Sequence, residues 1–215
     1  MNHRRLDIIR AFCCAVLLLF AAPTVPGQDA ETSSLDSLFD LLDQGKYDEV
    51  QASARALLAA EVEDADDART AEILDALVES LWRSGKAQEP ETRELAERAV
   101  ALKESARGPD HAGMASSLNN LAILDFFTGR YSGAKSLWER ALTIRKAALG
   151  PDDPAVAQSM NNLANLLQTI GDYAGARPLY EQSLAIREKT LDPEHPRLAD
   201  SMNNLGVLLR NMGEF

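Results

Sequence analysis

A five-residue segment occurs three times in this chain, as Leu118-Asn119-Asn120-Leu121-Ala122, as Met160-Asn161-Asn162-Leu163-Ala164 and as Met202-Asn203-Asn204-Leu205-Gly206. The copies are 42 residues apart, and two other motifs keep the same spacing. A glycine followed two residues later by an aromatic residue begins at Gly129, Gly171 and Gly213, and similar five-residue segments begin at Trp138 and Tyr180. A fixed period of this length indicates a repeat architecture.

Each repeat unit is predicted to contain two helices. In the middle unit, apolar residues recur at helical spacing over 160–170, and Gly171 can end that helix because glycine adopts the left-handed conformation readily. A second helix with an apolar face is predicted to begin near Tyr173. The connectors at 149–154 and 191–196 combine prolines, which stop a helix, with residues that can cap the next one.

The repeat also divides the chain into regions. Residues 28–70 are acidic and predict a helical hairpin followed by a linker, with the acid-rich run 61–67 as the solvated linker. The unit after it lacks the paired asparagines and has two extra residues after Gly85. The predicted array spans residues 71–215, with units at about 71–110, 111–152 and 153–194 and an incomplete unit at 195–215.

These motifs resemble tetratricopeptide repeats (TPRs) of the kinesin-light-chain type. The resemblance rests on Asn-Asn-Leu-Ala, on Gly-x-Tyr, on the Leu-x-Ile-Arg segments that end at Arg145 and Arg187, and on Leu-Gly-Pro-Asp at 149–152. It covers residues 71–215 well and 33–60 loosely. It implies an all-α fold, a right-handed α-solenoid of antiparallel helix pairs, whose concave face is lined by the first helices and holds a peptide or a partner's helix.

The paired asparagines are the main candidate binding residues, because asparagine is a poor choice for a helix interior. One interpretation, supported by the resemblance, is that they hydrogen-bond the backbone of a bound peptide. The other is that one asparagine of each pair bonds the neighbouring repeat and fixes the stacking. Asn161, Asn165 and Gln168 share a stripe that would face the groove. The predicted groove residues are Asn119, Asn120, Phe126, Phe127, Asn161, Asn162, Asn165, Asn203 and Asn204.

The two phenylalanines in that set belong to a departure from the repeat. The segment Asp125-Phe126-Phe127 stands where the next unit has Leu167-Gln168-Thr169, so an acid occupies a position that is apolar elsewhere. Either the end of this helix rotates to bury the phenylalanines, or they line the groove as an apolar anchor for a ligand side chain.

The first 27 residues have the features of an export signal. Arg4, Arg5 and Arg10 precede the apolar run 11–22, and prolines and a glycine follow at 23–27. The run is shorter than the roughly 20 apolar residues that a membrane-spanning helix needs. We therefore expect a cleaved signal peptide at 1–27, no stable membrane span, and an exported bacterial protein that is periplasmic or extracellular.

Composition excludes several classes of partner and cofactor. The net charge is −11 and the sequence contains no basic cluster, so nucleic acid is not an expected partner. Both cysteines, Cys13 and Cys14, would leave with the signal, which removes disulfides and thiolate metal sites from the mature protein. His111 and His195 occupy equivalent turns two units apart, where helix capping is expected rather than a shared metal site. No catalytic residue, metal site or cofactor is predicted.

The predicted function is a non-catalytic scaffold that binds a protein or peptide in the concave groove. The sequence stops at 213–215, where a second helix would begin, so we expect a fragment of a longer protein. Two alternatives follow. The array could be the regulatory arm of a larger enzyme, since it looks like arrays that precede a caspase-like peptidase domain in some exported proteins. It could also associate with itself through the uncapped half-repeat.

Overall fold

The computed structural model of the protein describes residues 34–60 and 67–214, all within one compact unit. The predicted export signal, most of the predicted linker and Phe215 lie outside these residues. The described part of the chain is helical and contains no strand. Its helices are α1 (Leu35–Asp43), α2 (Tyr47–Ala60), α3 (Asp67–Arg83), α4 (Pro90–Arg107), α5 (Met114–Phe127), α6 (Tyr131–Leu149), α7 (Pro154–Thr169), α8 (Tyr173–Thr190) and α9 (Pro196–Met212).

The helices are arranged as a series of hairpins. Each helix packs against the next along the chain, and α3 also contacts α1 and α5, the first helices of the hairpins before and after it. Among the described residues, the main contacts between hairpins join neighbouring units, which is the arrangement of a solenoid. The predicted all-α solenoid is confirmed.

The turns follow the signals seen in the sequence. Gly171 has a φ of 82°, and the amide of the following Asp172 donates to Leu167 O at 2.8 Å, which closes the end of α7. The next first helix, α9, begins with a side-chain cap, because His195 Nδ1 accepts a hydrogen bond from Arg197 N at 3.1 Å. His111 Nδ1 accepts in the same way from Gly113 N, but this bond lies in the turn before α5, and α5 itself begins at Gly113 without a side-chain cap. The predicted capping role is therefore found at His195 and not at His111.

A repeated set of hydrogen bonds joins the second helices α4, α6 and α8 to the unit that follows each of them. Arg145 Nη1 on α6 donates to Ala155 O at 3.0 Å and to Ser159 Oγ at 2.8 Å, both at the start of α7. Arg187, 42 residues later, makes the equivalent pair of contacts with the start of α9. Lys103, 42 residues earlier, bonds the corresponding carbonyl before α5. The arginine of the Leu-x-Ile-Arg motif therefore links adjacent units.

Asp125 remains buried through ion pairs. Its Oδ1 accepts from Arg93 Nη1 at 2.6 Å and from Arg130 Nε at 2.7 Å, and its side chain is 6% exposed. The charge is thus compensated at a position where the units on either side bury a leucine, and the helix does not need to rotate. The ring centroid of Phe126 lies 5.9 Å from that of Trp138 in the core, whereas Phe127 is 49% exposed.

Replacing Gly133 with alanine is expected to destabilise the protein by about 1 to 3 kcal/mol, the usual cost of overpacking. A Cβ at this position would overlap Asp125 Oδ2, so the carboxylate would have to shift and strain the ion pairs that its Oδ1 makes with the two arginines. Urea denaturation followed by circular dichroism measures the change. The matched control is Gly206→Ala, where no atom lies within 4 Å of the new Cβ. That variant is expected to be stabilised by about 0.4 to 1 kcal/mol, and equal effects of the two substitutions would contradict the account.

Candidate binding groove

The first helices of successive hairpins enclose a groove of about 460 Å³. It is lined by residues of α1, α3, α5, α7 and α9, together with single residues from α4 and α6 and one from a turn. Phe39, Trp82 and Ile123 supply apolar surface, and Ser116 and Gln158 supply neutral polar groups. We call this surface the groove.

Asparagines connect the units beside the groove. Asn162 Nδ2 on α7 donates to Asn119 Oδ1 on α5 at 2.9 Å, and Asn204 Nδ2 on α9 donates to Asn161 Oδ1 on α7 at 3.1 Å. The indole of Trp138 also donates to Asn119 Oδ1, at 3.1 Å. In both pairs, the second asparagine of one unit bonds the first asparagine of the unit before it. We call this series the asparagine ladder, and it fixes the register between first helices.

The ladder uses only half of the amide group of Asn119 and half of that of Asn162. Asn119 Oδ1 is occupied, but Asn119 Nδ2 donates to no described residue. Conversely, Asn162 Nδ2 is occupied, but Asn162 Oδ1 accepts from no described residue. Both residues line the groove. One donor and one acceptor on adjacent helices therefore remain for a ligand.

Asn120 also lines the groove, but both polar atoms of its side-chain amide already form hydrogen bonds within the protein. Its Nδ2 donates to Asp75 O at 3.2 Å, and its Oδ1 accepts from Trp82 Nε1 at 3.3 Å. These bonds extend the ladder to the unit that has no asparagine pair. Asn120 therefore positions Trp82 and joins α5 to α3.

The other predicted groove residues are outside the groove lining. Asn165 Oδ1 lies 2.5 Å from the Tyr180 hydroxyl, so the expected groove stripe of α7 faces α8 at this point. Burial raises the pKa of that hydroxyl to about 12. Asn203 is exposed and forms no hydrogen bond with a described residue. The predicted residues that do not line the groove are Phe126, Phe127, Asn161, Asn165, Asn203 and Asn204.

A buried ion pair that the repeat pattern did not predict also lines the groove. Lys103 Nζ lies 2.5 Å from Asp75 Oδ2, and both side chains are less than a tenth exposed. Ser117 Oγ donates to the same carboxylate oxygen at 2.7 Å. Burial raises the pKa of Asp75, against the opposing effect of the Lys103 ammonium group. The sequence does contain one signal for Asp75. It lies ten residues before Gly85, as Asn119 lies ten residues before Gly129, so the two residues hold equivalent positions in their units.

Replacing Asn119 with alanine is expected to cost about 1 to 3 kcal/mol of folding free energy, because Trp138 Nε1 and Asn162 Nδ2 lose their shared acceptor. Thermal and urea denaturation measure this loss. Asn203→Ala is the control, since Asn203 holds the equivalent position but is exposed, and its effect should stay within about 0.5 kcal/mol. Equal losses from the two substitutions would refute the ladder.

Sequence comparison identifies the repeats. A family model described as tetratricopeptide repeat matches residues 90–147, 119–189 and 161–215, which together span more than half of the chain. The protein belongs to the tetratricopeptide repeat family. A comparison with curated proteins finds no match.

Solved structures share the TPR fold. The crystal structure of BtubC (BKLC) from P. vanneervenii has a TM-score of 0.70 and 22% identity, over 83% of this chain and 71% of that chain. A putative kinesin light chain of Podosopora anserina with nearly identical TPR-like repeats has a TM-score of 0.65 and 24% identity, over 84% and 85%. MamA protein has a TM-score of 0.54 and 16% identity, over 84% and 81%. This TPR protein therefore has a kinesin-light-chain-like fold.

The described residues contain neither a cluster suited to a metal ion nor a helix suited to crossing a membrane. No group of three or more histidine, cysteine, aspartate or glutamate side chains in them is arranged to hold a metal ion. None of the helices in the same residues combines the length and the apolar character needed to cross a membrane.

Proposed function

We propose that this TPR protein is a scaffold that binds a segment of another protein in the groove. The observation that carries the proposal is the unused half of the asparagine ladder, Asn119 Nδ2 and Asn162 Oδ1, in a groove built from successive first helices. TPR proteins typically bind proteins or peptides, and the fold agrees with such a role.

The chemistry of the groove suits a peptide backbone. A peptide in extended form presents alternating amide donors and carbonyl acceptors, and each requires a partner when it leaves water. Asn162 Oδ1 can accept from a ligand amide, and Asn119 Nδ2 can donate to a ligand carbonyl. Both side chains are already held by the ladder, so little rotamer entropy is lost on binding. Phe39, Trp82 and Ile123 supply apolar contacts beside these two groups.

Substitutions that fill the groove without touching the ladder test the proposal. Ser116→Arg and Gln158→Arg place two bulky side chains in the groove, and neither residue forms a ladder bond. The matched control carries Ser136→Arg and Thr143→Arg at two exposed positions on the second helix α6. Both variants should keep the helical signal in circular dichroism.

Affinity capture with the protein and the two variants, followed by mass spectrometry, gives the result. We expect a specific partner to be lost from the groove variant and retained by the control. Equal capture by both variants would place binding outside the groove and would reject the proposal.

We also propose that the protein acts outside the cytoplasm. The proposal rests on the arginines and the apolar run before residue 27, which have the order of a cleaved export signal. Mass spectrometry of the protein from an expressing bacterium tests it. Loss of about the first 27 residues from protein recovered outside the cytoplasm is expected. An intact amino terminus on cytoplasmic protein would contradict it.

A further inference from the structure

The acidic side chains of the groove are concentrated at one end. Residues of α1, α3 and α4 contribute four acids and two bases to its lining, whereas residues of α5 to α9 contribute two arginines and no acid. Three equivalent positions of successive first helices, counted back from the glycine that ends each helix, change from acidic residues in α3 to uncharged residues in α5 and α7. They are Glu72, Asp75 and Glu79 in α3, Ser116, Asn119 and Ile123 in α5, and Gln158, Asn161 and Asn165 in α7.

Two of these acids already have partners. Glu79 pairs with Arg83 at 2.7 Å, and Glu72 pairs with Arg107 at 3.2 Å. Their side chains are 29% exposed, so they also contact solvent and contribute mainly to the local potential.

Asp75 differs because one of its oxygens is buried and has no partner. Asp75 Oδ2 accepts from Lys103 and Ser117, but Asp75 Oδ1 accepts no hydrogen bond from any described residue. At the equivalent position in α5, Asn119 Oδ1 accepts from Trp138 and from the next asparagine of the ladder. In the α3 unit, Asn120 Nδ2 bonds the backbone oxygen of Asp75 instead, and its amide lies near enough to the carboxylate to lower the pKa of Asp75 without bonding Oδ1.

We propose that the α3 end of the groove takes a lysine or arginine side chain of the bound segment, which donates a hydrogen bond to Asp75 Oδ1. A buried carboxylate oxygen without a donor is costly, and a cationic donor satisfies it more strongly than a neutral one. Glu72 and Glu79 add attraction at the same end. The Arg83 guanidinium lies 5.1 Å from the centroid of the Trp82 ring, and the part of this ring that lines the groove can contact the apolar stem of the ligand side chain. This inference rests on the proposed function and specifies the ligand for one part of that groove.

The chain contains a matched control for this subsite. The double substitution Asp75→Asn and Lys103→Arg reproduces the arrangement of Asn119 and Arg145 in the next unit. It removes the free carboxylate oxygen, and the new arginine can bond Gly113 O as Arg145 bonds Ala155 O. The variant should therefore fold and keep the rest of the groove.

Three peptides provide the probe: acetyl-Ala-Ala-Lys-Ala-Ala-amide and the same peptide with norleucine or glutamate at its centre. The protein contains two tryptophans, so the indole signals in ¹H–¹⁵N spectra are easily followed. Trp82 lines the groove, and the buried Trp138 serves as an internal reference for the fold. The lysine peptide is expected to shift the Trp82 signal saturably, with a dissociation constant about tenfold or more below that of the norleucine peptide.

Each outcome has a definite meaning. Loss of the lysine preference in the double variant, with the Trp138 signal unchanged, supports the subsite. Equal binding of the lysine and norleucine peptides overturns the subsite and leaves the proposed function standing. A lysine preference that survives in the double variant also overturns it. The absence of any saturable shift with all three peptides also overturns the subsite, whereas the proposed binding of a partner in the groove is decided by the capture experiment.

Discussion

Replacing Asp75 with alanine is expected to lower the free energy of unfolding by about 3 to 5 kcal/mol. The substitution leaves the Lys103 ammonium group buried without its counter-charge, and Ser117 loses its acceptor. Urea denaturation at neutral pH, followed by circular dichroism, measures the loss.

Two controls separate this effect from a general cost of substitution. Glu91→Ala breaks the ion pair between Glu91 and Arg55, in which both side chains are about half exposed. This substitution should lower the free energy of unfolding by less than about 1 kcal/mol. The double variant with Asp75→Ala and Lys103→Met removes both charges and should recover most of the stability that Asp75→Ala loses. A double variant as unstable as the single one would show that the ion pair is not the cause.

Replacing Trp138 with alanine is expected to cost about 3 to 5 kcal/mol. Trp138 is 3% exposed and belongs to a core cluster that includes residues of α5, α6, α7, α8 and α9, so the cavity affects several units. Its indole also donates to Asn119 in the ladder. Urea and thermal denaturation measure the cost.

Trp138→Phe keeps part of the ring volume and removes the indole donor, so it should cost less than Trp138→Ala. Leu149→Ala, at a residue that is 51% exposed, should change stability by about 0.5 kcal/mol or less. A loss below about 1 kcal/mol for Trp138→Ala would contradict the assigned role of this residue in the core.

The fold was predictable because its signals are local and recur. The glycines after the first helices have positive φ in the structure, as the helix-ending role requires, and the predicted second helix begins at Tyr173. Helix pairs with an apolar face and short turns have few ways to stack, so the period determines the all-α solenoid.

The groove was only partly predictable, because side-chain partners come from different units. Asn119, Asn120 and Asn162 line it, whereas Asn161 and Asn165 face other helices. Asn161 and Asn165 do lie on one face of the helix, as their spacing predicts. The spacing alone does not show which neighbouring helix that face packs against. The two interpretations of the asparagines are also not exclusive, because one half of an amide can bond a repeat while the other half remains free.

Buried charges were the least predictable feature. Asp75 and Asp125 occupy positions that hold asparagine or leucine in other units, and their partners Lys103 and Arg93 lie on the second helix α4. A sequence pattern shows that an acid departs from the repeat, but the compensating cation depends on how α4 packs between α3 and α5. The ion pairs therefore became evident only from the structure.

Photo-crosslinking tests the central claim, that the groove is the binding surface, most directly. A benzophenone amino acid at Ser116, which is exposed and lines the groove, is compared with the same group at the exposed Ser136 on α6. Crosslinked peptides are then mapped by mass spectrometry. We expect one defined segment of a partner to crosslink from position 116 and not from position 136. Crosslinking of that segment from position 136 alone would contradict it.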